Sequence, residues 1–340
     1  MSSTDSTQPA FPRSRTEWRK ALDELPSTPD NIPSFFFGHG SPFLVFPESD
    51  VQGDSPVSRQ MGPKGPLATF LRDFGPALLA KYKPKGIAVF SAHWETVGER
   101  VVTDYGDLNP VLMDYYGFQP ALYQLQFRSR GDSALSKRIV ELYKEAGHLA
   151  RTTTKLEARG EDGRGFSGPG LDHGVFVPFK LMFGEVFMDV PVVQISIDGS
   201  LSPEKNWAIG TVVEQLRHEG ILVLSGGLLV HNLRNMGSFA EESASTAVKQ
   251  FDHAILDAVT IADVSHFLVQ SLMLLHSPLR GQPGLRHKEM INLTQHPGFR
   301  AAHPRAEHFI PLYVAAGAGG EGKVKVVSAI YGSSTFAFGL

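Results

Sequence analysis

The stretch "GIAVFSAHWET", residues 86–96, begins as an apolar run and ends in a histidine, a tryptophan and a glutamate. Near-continuous apolar runs of this length are typical of strands that are buried on both faces, and such strands belong to parallel sheets covered by helices. A strand that served packing alone would not need His93 at its end. The stretch therefore predicts an inner strand of an α/β sheet, and it makes His93 a candidate functional residue.

Four more apolar runs, each bounded by Pro, Gly or Ser, predict further strands at 32–38, 191–197, 220–226 and 323–332. Segments with helical periodicity separate them, at 65–82, 133–147, 175–184, 202–220, 243–260 and 306–317. Residues 261–302 show no clean period, and we expect a helix followed by a long loop there. The alternation predicts an α/β fold, with a mixed, mostly parallel sheet and helices on both faces.

The composition limits the class of partner. The chain has 340 residues, which fit one large α/β domain about as well as two smaller ones. Its formal net charge is -3, and its Lys and Arg residues are scattered, which argues against nucleic acid or a membrane surface as the partner. We therefore expect a small molecule. No apolar run approaches the roughly 20 residues of a membrane span, and no signal-peptide core is present, so we expect a cytoplasmic protein.

Residues 1–31 are polar and rich in Pro and Ser around one short helical segment, 15–25. Segments of this composition have too little apolar surface to offset the loss of chain entropy on ordering. We expect them to form a flexible N-terminal extension, followed by the folded domain at 32–340.

Histidines follow several of the predicted strands. His39, His93 and His231 come after the runs at 32–38, 86–92 and 220–226, and ligands of open α/β sheets bind at the carboxyl ends of strands. His173, in "GPGLDHGVFVP", precedes an apolar helix and is a fourth candidate. Taken alone, each is more often a buried histidine that bonds to the backbone. Three together match the ligand number of a catalytic metal site, and a chain without cysteine must build such a site from His and carboxylates.

Other enzyme classes have weaker support in the sequence. No GxSxG motif is present for a serine hydrolase, and Pro169 interrupts the glycine pattern that a dinucleotide site would need. A glycosidase stays open because acidic residues are common and nothing selects two of them.

His303, before Pro304, fits a helix start better than a supporting position near a metal. The pattern gives Trp94 and Glu95 no role.

Several stretches together resemble a known family: "FFFGHGSP" (35–42), "PKGIAVFSAHWET" (84–96), "YYGFQPALYQLQF" (115–127), "GPGLDHGVFVPFKLMF" (168–183), "LVLSGGLLVHNLR" (222–234) and "HPRAEHFIPLYVAAGA" (303–318). In this order they are similar to the type III extradiol ring-cleavage dioxygenases, and in particular to the branch that resembles 4,5-DOPA dioxygenase. The resemblance covers residues 33–340 and implies a single α/β catalytic domain with one non-haem metal.

Residue by residue, the resemblance implies that His39, His93 and His231 bind the metal and that His173 is the catalytic acid and base. Relatives that cleave protocatechuate use a glutamate as third ligand, which completes the two-His, one-carboxylate set of Fe(II) oxygenases. Fe(II) is expected for oxygen chemistry, and Zn(II) is the alternative occupant because three imidazoles also suit zinc. Tyr116 is a candidate for the substrate pocket wall, and His303 a weaker candidate for a supporting position.

The implied function is a metal-dependent extradiol dioxygenase that takes a small catechol, DOPA or another substituted catechol, and O₂ as its partners. It would insert oxygen next to the two hydroxyls. Two alternatives remain open: a zinc-dependent hydrolase that uses the same histidines, and a non-catalytic adaptor of the same fold. No motif names the catechol, and no sequence feature predicts an oligomeric state.

Overall fold

An eight-stranded sheet organises the chain. The computed structural model describes residues 11–27, 31–47, 55–159, 166, 168–272 and 284–340, with the side chains of 262–272 left out of the description. The strands are β1 (Ser34–Gly38), β2 (Gly86–Thr96), β3 (Glu99–Thr103), β4 (Arg128–Ser129), β5 (Leu149–Thr153), β6 (Val186–Phe187), β7 (Val192–Asp198), β8 (Ile221–Gly227), β9 (Val324–Ser328) and β10 (Thr335–Phe338).

The sheet order is β5-β3-β7-β2-β8-β1-β10-β9, and β4 pairs separately with β6. The central strands β7, β2, β8 and β1 are parallel, whereas β10 pairs antiparallel with both β1 and β9. The helices are α1 (Arg15–Asp23), α2 (Pro56–Met61), α3 (Pro66–Tyr82), α4 (Ser133–Glu145), α5 (His173–Phe183), α6 (Pro203–Val212), α7 (Glu214–His218), α8 (Thr246–Leu272), α9 (Leu285–Asn292), α10 (Phe299–Ala302) and α11 (Pro311–Gly319).

Side chains of the central strands alternate between two cores, one on each face of the sheet. On β1, Phe36 packs into the core that α4, α6, α8 and α11 cover, whereas Phe35 and Phe37 pack into the core that α1, α3 and α5 cover. All three rings are fully buried. The predicted α/β fold, with a mixed, mostly parallel sheet and helices on both faces, is confirmed.

The sequence patterns missed some elements. The edge strand β5 and its neighbour β3 carry charged and polar residues, "LARTT" and "ERVVT", that hide their strand character. Within 261–302 the expected helix is present, because α8 continues to Leu272, but the expected long loop was wrong for the described part, which contains α9 and α10. The remainder of that loop, 273–283, lies outside the described residues. No helix in the described part of the chain has the length and apolarity that crossing a bilayer requires.

The expected loose attachment of residues 1–31 is wrong for residues 11–27. Helix α1 starts with a capping box at Ser14 and packs on α3. Trp18 is buried, meets the ring of Phe70 edge-on at 5.7 Å and donates its indole N–H to Asp73. Arg15 binds both oxygens of the same carboxylate, each at 2.9 Å. Residues 1–10 and 28–30 lie outside the described residues.

Strand β2 leaves the β7 ladder close to its carboxyl end. Phe90 pairs with Ile195 and Glu95 pairs with Ile197, so residues 91–94 face the single residue Ser196. Extra residues in one strand bend it and re-aim its side chains, which is why bulges occur beside functional sites. The bulge contains His93, and β2 extends past the predicted end at Ala92 to Thr96.

The end of β8 allows a second chain segment to approach the sheet very closely. A Cβ atom on Gly227 would lie 2.3 Å from the carbonyl oxygen of His308. That oxygen instead accepts a hydrogen bond of 2.9 Å from the backbone N–H of Leu228. Glycine is therefore required here, because any side chain would push the segment of His308 away from the strand.

We expect Gly227→Ala to lower the free energy of unfolding by about 1–3 kcal/mol, the usual cost of overpacking a buried site. Urea denaturation would measure it. Gly237→Ala is the matched control, because a Cβ there has no neighbour closer than 3.3 Å and the change should stay within about 0.5 kcal/mol. Equal stability of the two variants would contradict the close approach at Gly227.

Candidate metal centre

His39 begins the site directly after β1. Its backbone N–H donates to the carbonyl of Gly227 at 3.0 Å, which holds the residue at the junction of β1 and β8. The side chain is buried, and neither ring nitrogen has a hydrogen-bond partner. Burial, followed by the neighbouring rings of His173 and His231, lowers the pKa of His39 well below its usual value. A neutral, buried imidazole with two unused nitrogens fits a metal ligand better than a structural histidine.

His93 and His308 lie beside it. One nitrogen from each of His39, His93 and His308 falls within 4.8 Å of the others, as a metal-binding group requires. The Nε2 atoms of His93 and His308 are 3.0 Å apart. Two unprotonated nitrogens would repel each other at that distance, so a proton or a cation must lie between them. These three imidazoles therefore fit a mononuclear metal.

Glu307 orients His308. Its Oε1 lies 2.9 Å from Nδ1 of His308 and accepts a hydrogen bond when that nitrogen carries the proton. The arrangement leaves Nε2 of His308 with its lone pair directed towards His93. A carboxylate behind a histidine is the usual way in which proteins fix the tautomer of a metal ligand.

His231 lies on the loop after β8, where its backbone N–H donates to Ala302. Its ring stacks on that of His308, with centroids 3.5 Å apart and planes at 15°. Among the described residues, the groups that could hold a metal place His231 with Glu307 and His308, not with His39 and His93. Its role as the third ligand stays a prediction.

His173 is the first residue of α5, which Asp172 caps at its N-terminus. Asp114 Oδ1 accepts from the backbone N–H of His173 at 2.8 Å and lies 2.7 Å from its Nδ1. This pairing fixes the proton on Nδ1 and leaves Nε2 as the basic nitrogen. The ring centroid is 4.1 Å from that of His93, so the basic group lies next to the candidate metal ligands.

A second buried carboxylate, that of Asp172, lies next to His93. Asp172 accepts from the hydroxyl of Ser91 at 2.7 Å and from Nη1 of Arg159 at 2.9 Å, and it lies 3.5 Å from Nδ1 of His93. Trp94 donates its indole N–H to the carbonyl of Arg159 at 2.7 Å, with the guanidinium over its ring. Trp94 therefore positions the arginine that neutralises Asp172.

Glu95 also has a structural partner. Both of its carboxylate oxygens bind the guanidinium of Arg305 at 2.6 Å, and Arg305 lies 3.4 Å from Glu307. The pair joins the end of β2 to the segment that carries His308. Glu95 thus acts as a brace beside the site, which its position in the sequence did not indicate.

A cavity of about 450 Å³ opens on the histidines. His93, His173, His231 and His308 are among the residues that line it. Tyr116 also lines it as an exposed residue whose ring stacks with Phe166. The cavity has a volume suited to a small aromatic molecule.

His303 lies behind the loop of His231 and does not line the cavity. It is fully buried at the end of α10, its Nε2 lies 2.8 Å from the carbonyl of Leu229, and it packs among the rings of Phe251, Phe299 and Phe309. The expected helix start at Pro304 was wrong, because the next helix, α11, begins at Pro311. A supporting role for His303 stays a prediction.

The sequence patterns missed Asp114, Glu307 and His308. None of them directly follows a strand, which was the rule that selected the other histidines. His308 and Glu307 lie in "HPRAEHF", a stretch that carried the family resemblance, and a carboxylate next to a histidine was the available signal. Asp114 reaches His173 from a segment without regular structure, 59 positions earlier in the chain.

Several buried histidines meet at the carboxyl edge of a mostly parallel sheet, next to a cavity of small-molecule size. This arrangement is typical of α/β enzymes with a metal centre. Residues 34–339 match the family described as the catalytic LigB subunit of aromatic ring-opening dioxygenase. The chain belongs to this family, and the resemblance to the type III extradiol dioxygenases is confirmed.

Relatives with dioxygenase names match most of the chain. The "4,5-DOPA dioxygenase extradiol-like protein" of Schizosaccharomyces pombe is 36% identical over 324 residues, which cover 95% of this chain and 97% of that protein. The "4,5-DOPA dioxygenase extradiol" of Beta vulgaris is 30% identical over 295 residues, 86% of this chain and 89% of that protein. A crystal structure of an uncharacterized protein from Escherichia coli K12 matches with a TM-score of 0.51 at 21% identity, covers 91% of this chain and 100% of that one, and supports the fold alone.

We expect His308→Ala to weaken the binding of Zn(II) or Fe(II) more than 100-fold, and Glu307→Gln to weaken it about 10- to 100-fold through the loss of orientation. Competition with a chelator of known affinity would measure both. The exposed His148 is the matched control, and His148→Ala should bind metal as the wild type does. Metal affinity that is unchanged in His308→Ala would exclude His308 from the site.

Burial lowers the pKa of His303 from 6.5 to about 4, against the raising effect of its bond to Leu229. The unfolded chain therefore binds a proton between these values that the native protein does not, so stability falls as the pH decreases through this window. We expect the stability advantage of the wild type over His303→Gln to shrink by on the order of 3 kcal/mol from pH 7 to pH 4.

Urea denaturation at several pH values would measure this difference, with His148→Gln as the exposed control. A wild-type advantage over His303→Gln that does not change with pH would show that His303 is not buried in its neutral form.

Proposed function

We propose that this protein is a metal-dependent extradiol dioxygenase that cleaves the ring of a small catechol next to its two hydroxyls with incorporation of O₂. The observation that carries the proposal is the grouping of His39, His93 and His308 next to a cavity that His173, paired with Asp114, also lines. Membership of an aromatic ring-opening dioxygenase family supports it.

The imidazoles of His39, His93 and His308 would hold the metal, with His231 as a further candidate at the wall. Fe(II) is the proposed ion because reaction with O₂ needs a redox-active metal, and Zn(II) fits the same nitrogens. When bound, the ion would bring the catechol oxygens and O₂ together and lower the pKa of the catechol hydroxyls. No protein carboxylate belongs to this ligand set, so the ligands themselves leave the charge of a dication uncompensated.

His173 moves the proton in this proposal. Asp114 holds the proton on Nδ1, so Nε2 is the nitrogen that takes the proton of a catechol hydroxyl. The imidazolium formed in this way is stabilised by the buried carboxylate 2.7 Å away. The same Nε2 then returns the proton to the oxygen that carries negative charge after ring opening. Tyr115 contacts the His173 ring edge-on at 5.5 Å and limits its rotation.

The reaction class can be tested by anaerobic loading with Fe(II), addition of a panel of catechols, and measurement of oxygen uptake and visible absorbance. We expect stoichiometric oxygen uptake and a yellow ring-opened semialdehyde from at least one catechol. Absence of uptake for every catechol, together with ester or phosphodiester hydrolysis by the Zn(II)-loaded protein, would replace the proposal with a zinc hydrolase.

We expect Asp114→Asn to lower kcat roughly 100-fold, the typical contribution of a positioned acid and base, because an amide cannot stabilise the imidazolium of His173. His173→Ala should lose at least as much and still bind metal. Steady-state kinetics together with metal analysis would separate this from a folding defect. The exposed Asp107 gives the matched control, Asp107→Asn, with wild-type kcat. Full activity of metal-loaded His173→Ala would remove His173 from the mechanism.

A further inference from the structure

The cavity is lined by a small polar group and a larger apolar set. The polar group consists of four histidines and Glu307, with the hydroxyls of Ser41, Tyr115 and Tyr116. The apolar set comes from several separate segments and includes Val57, Met61, Phe118, Leu228, Met236 and Phe239. Among the described residues that line the cavity there is no lysine or arginine. A ring substituent that stays inside the cavity therefore meets mainly apolar side chains.

Cations near the lining residues in the sequence are directed elsewhere. Arg59 lies in α2 between two lining residues, but its guanidinium binds Glu242 at 2.8 Å. Arg305 binds Glu95 through two hydrogen bonds. Arg234 is exposed and does not line the cavity. None of these three is placed to receive a substrate carboxylate inside the cavity.

The carboxylate that lines the cavity is that of Glu307, which already holds His308. A negatively charged ring substituent would lose its water, gain no cation among the described lining residues and share the space with this carboxylate. Burial of an unpaired charge is strongly unfavourable. An apolar substituent gains affinity from the same walls, about fourfold for each buried methylene.

We propose that the cavity selects catechols whose ring substituent is apolar and uncharged, such as a branched alkyl group, over catechols that carry a carboxylate or an amino-acid group. The inference rests on the proposed ring cleavage, because it assumes that the two hydroxyls face the histidines. It adds the substrate class, which the family does not determine. Exposed Leu233 at the cavity wall extends the apolar surface to the solvent.

The test compares 4-tert-butylcatechol, L-DOPA and 3,4-dihydroxyphenylacetate on the Fe(II)-loaded protein. kcat/KM is measured from oxygen uptake, and the dissociation constant of each compound is measured separately by anaerobic calorimetry, where no turnover occurs. We expect 4-tert-butylcatechol to exceed each charged catechol at least tenfold in kcat/KM and in affinity. A charged catechol that equals or exceeds it in both would overturn the inference and leave the ring-cleavage proposal intact.

A charge introduced at the wall gives a second readout. Leu233→Lys should narrow the preference for 4-tert-butylcatechol over 3,4-dihydroxyphenylacetate at least fivefold, because the carboxylate gains a cation. Leu156→Lys is the matched control: Leu156 is also exposed, lies outside the cavity lining and should leave the ratio within twofold of the wild type. An unchanged ratio in Leu233→Lys would overturn the proposed orientation of the substituent.

Two further outcomes separate the two proposals. If no catechol is cleaved but 4-tert-butylcatechol still binds at least tenfold more tightly than the charged compounds, ring cleavage fails and the apolar selectivity stands. If Arg234→Ala selectively reduces the use of L-DOPA by tenfold or more, the exposed guanidinium recognises the carboxylate and the inference is wrong.

Discussion

The site depends on one constraint: each of two buried carboxylates needs hydrogen-bond or charged partners. Asp172 and Asp114 are fully buried, and a buried charge is tolerated only when hydrogen bonds or an opposite charge replace its water. Asp172 meets this demand with Ser91 from β2, Gln194 from β7 and Arg159. These hydrogen bonds join β2, β7 and the start of α5 into one rigid support. This support sets the positions of His93 and His173, because both lie on the elements that the carboxylates hold.

The fold was largely predictable because its centre obeys simple rules. The inner strands β1, β2, β7 and β8 are buried on both faces, so their apolar runs are visible in the sequence. The edge strand β5 and its neighbour β3 contain polar and charged residues among their apolar ones, so they are not visible in the same way. The packing of α1 depends on Trp18 and Asp73, which lie 55 positions apart, and a composition-based expectation of flexibility cannot anticipate such a contact.

The site was predictable to the extent that it follows the sheet. His39 and His93 are at the ends of strands, where the topology of a parallel sheet brings them together. His308 reaches the same place only because Gly227 lets its backbone approach the sheet, and no local pattern reports such a close contact. Asp114 belongs to an irregular segment, so its partnership with His173 is a property of the folded chain alone.

The bulge in β2 gives one strand two separable tasks. Residues 86–90 complete the ladders with β7 and β8, and residues 91–94 are released from the β7 ladder. Of the released residues, His93 lines the cavity, whereas Ser91 bonds to Asp172 and Trp94 bonds to the carbonyl of Arg159. One eleven-residue strand therefore supplies both the backbone pairing of the sheet and the side chains that form and support the site, and a substitution in the released part acts on the site rather than on the ladder with β7.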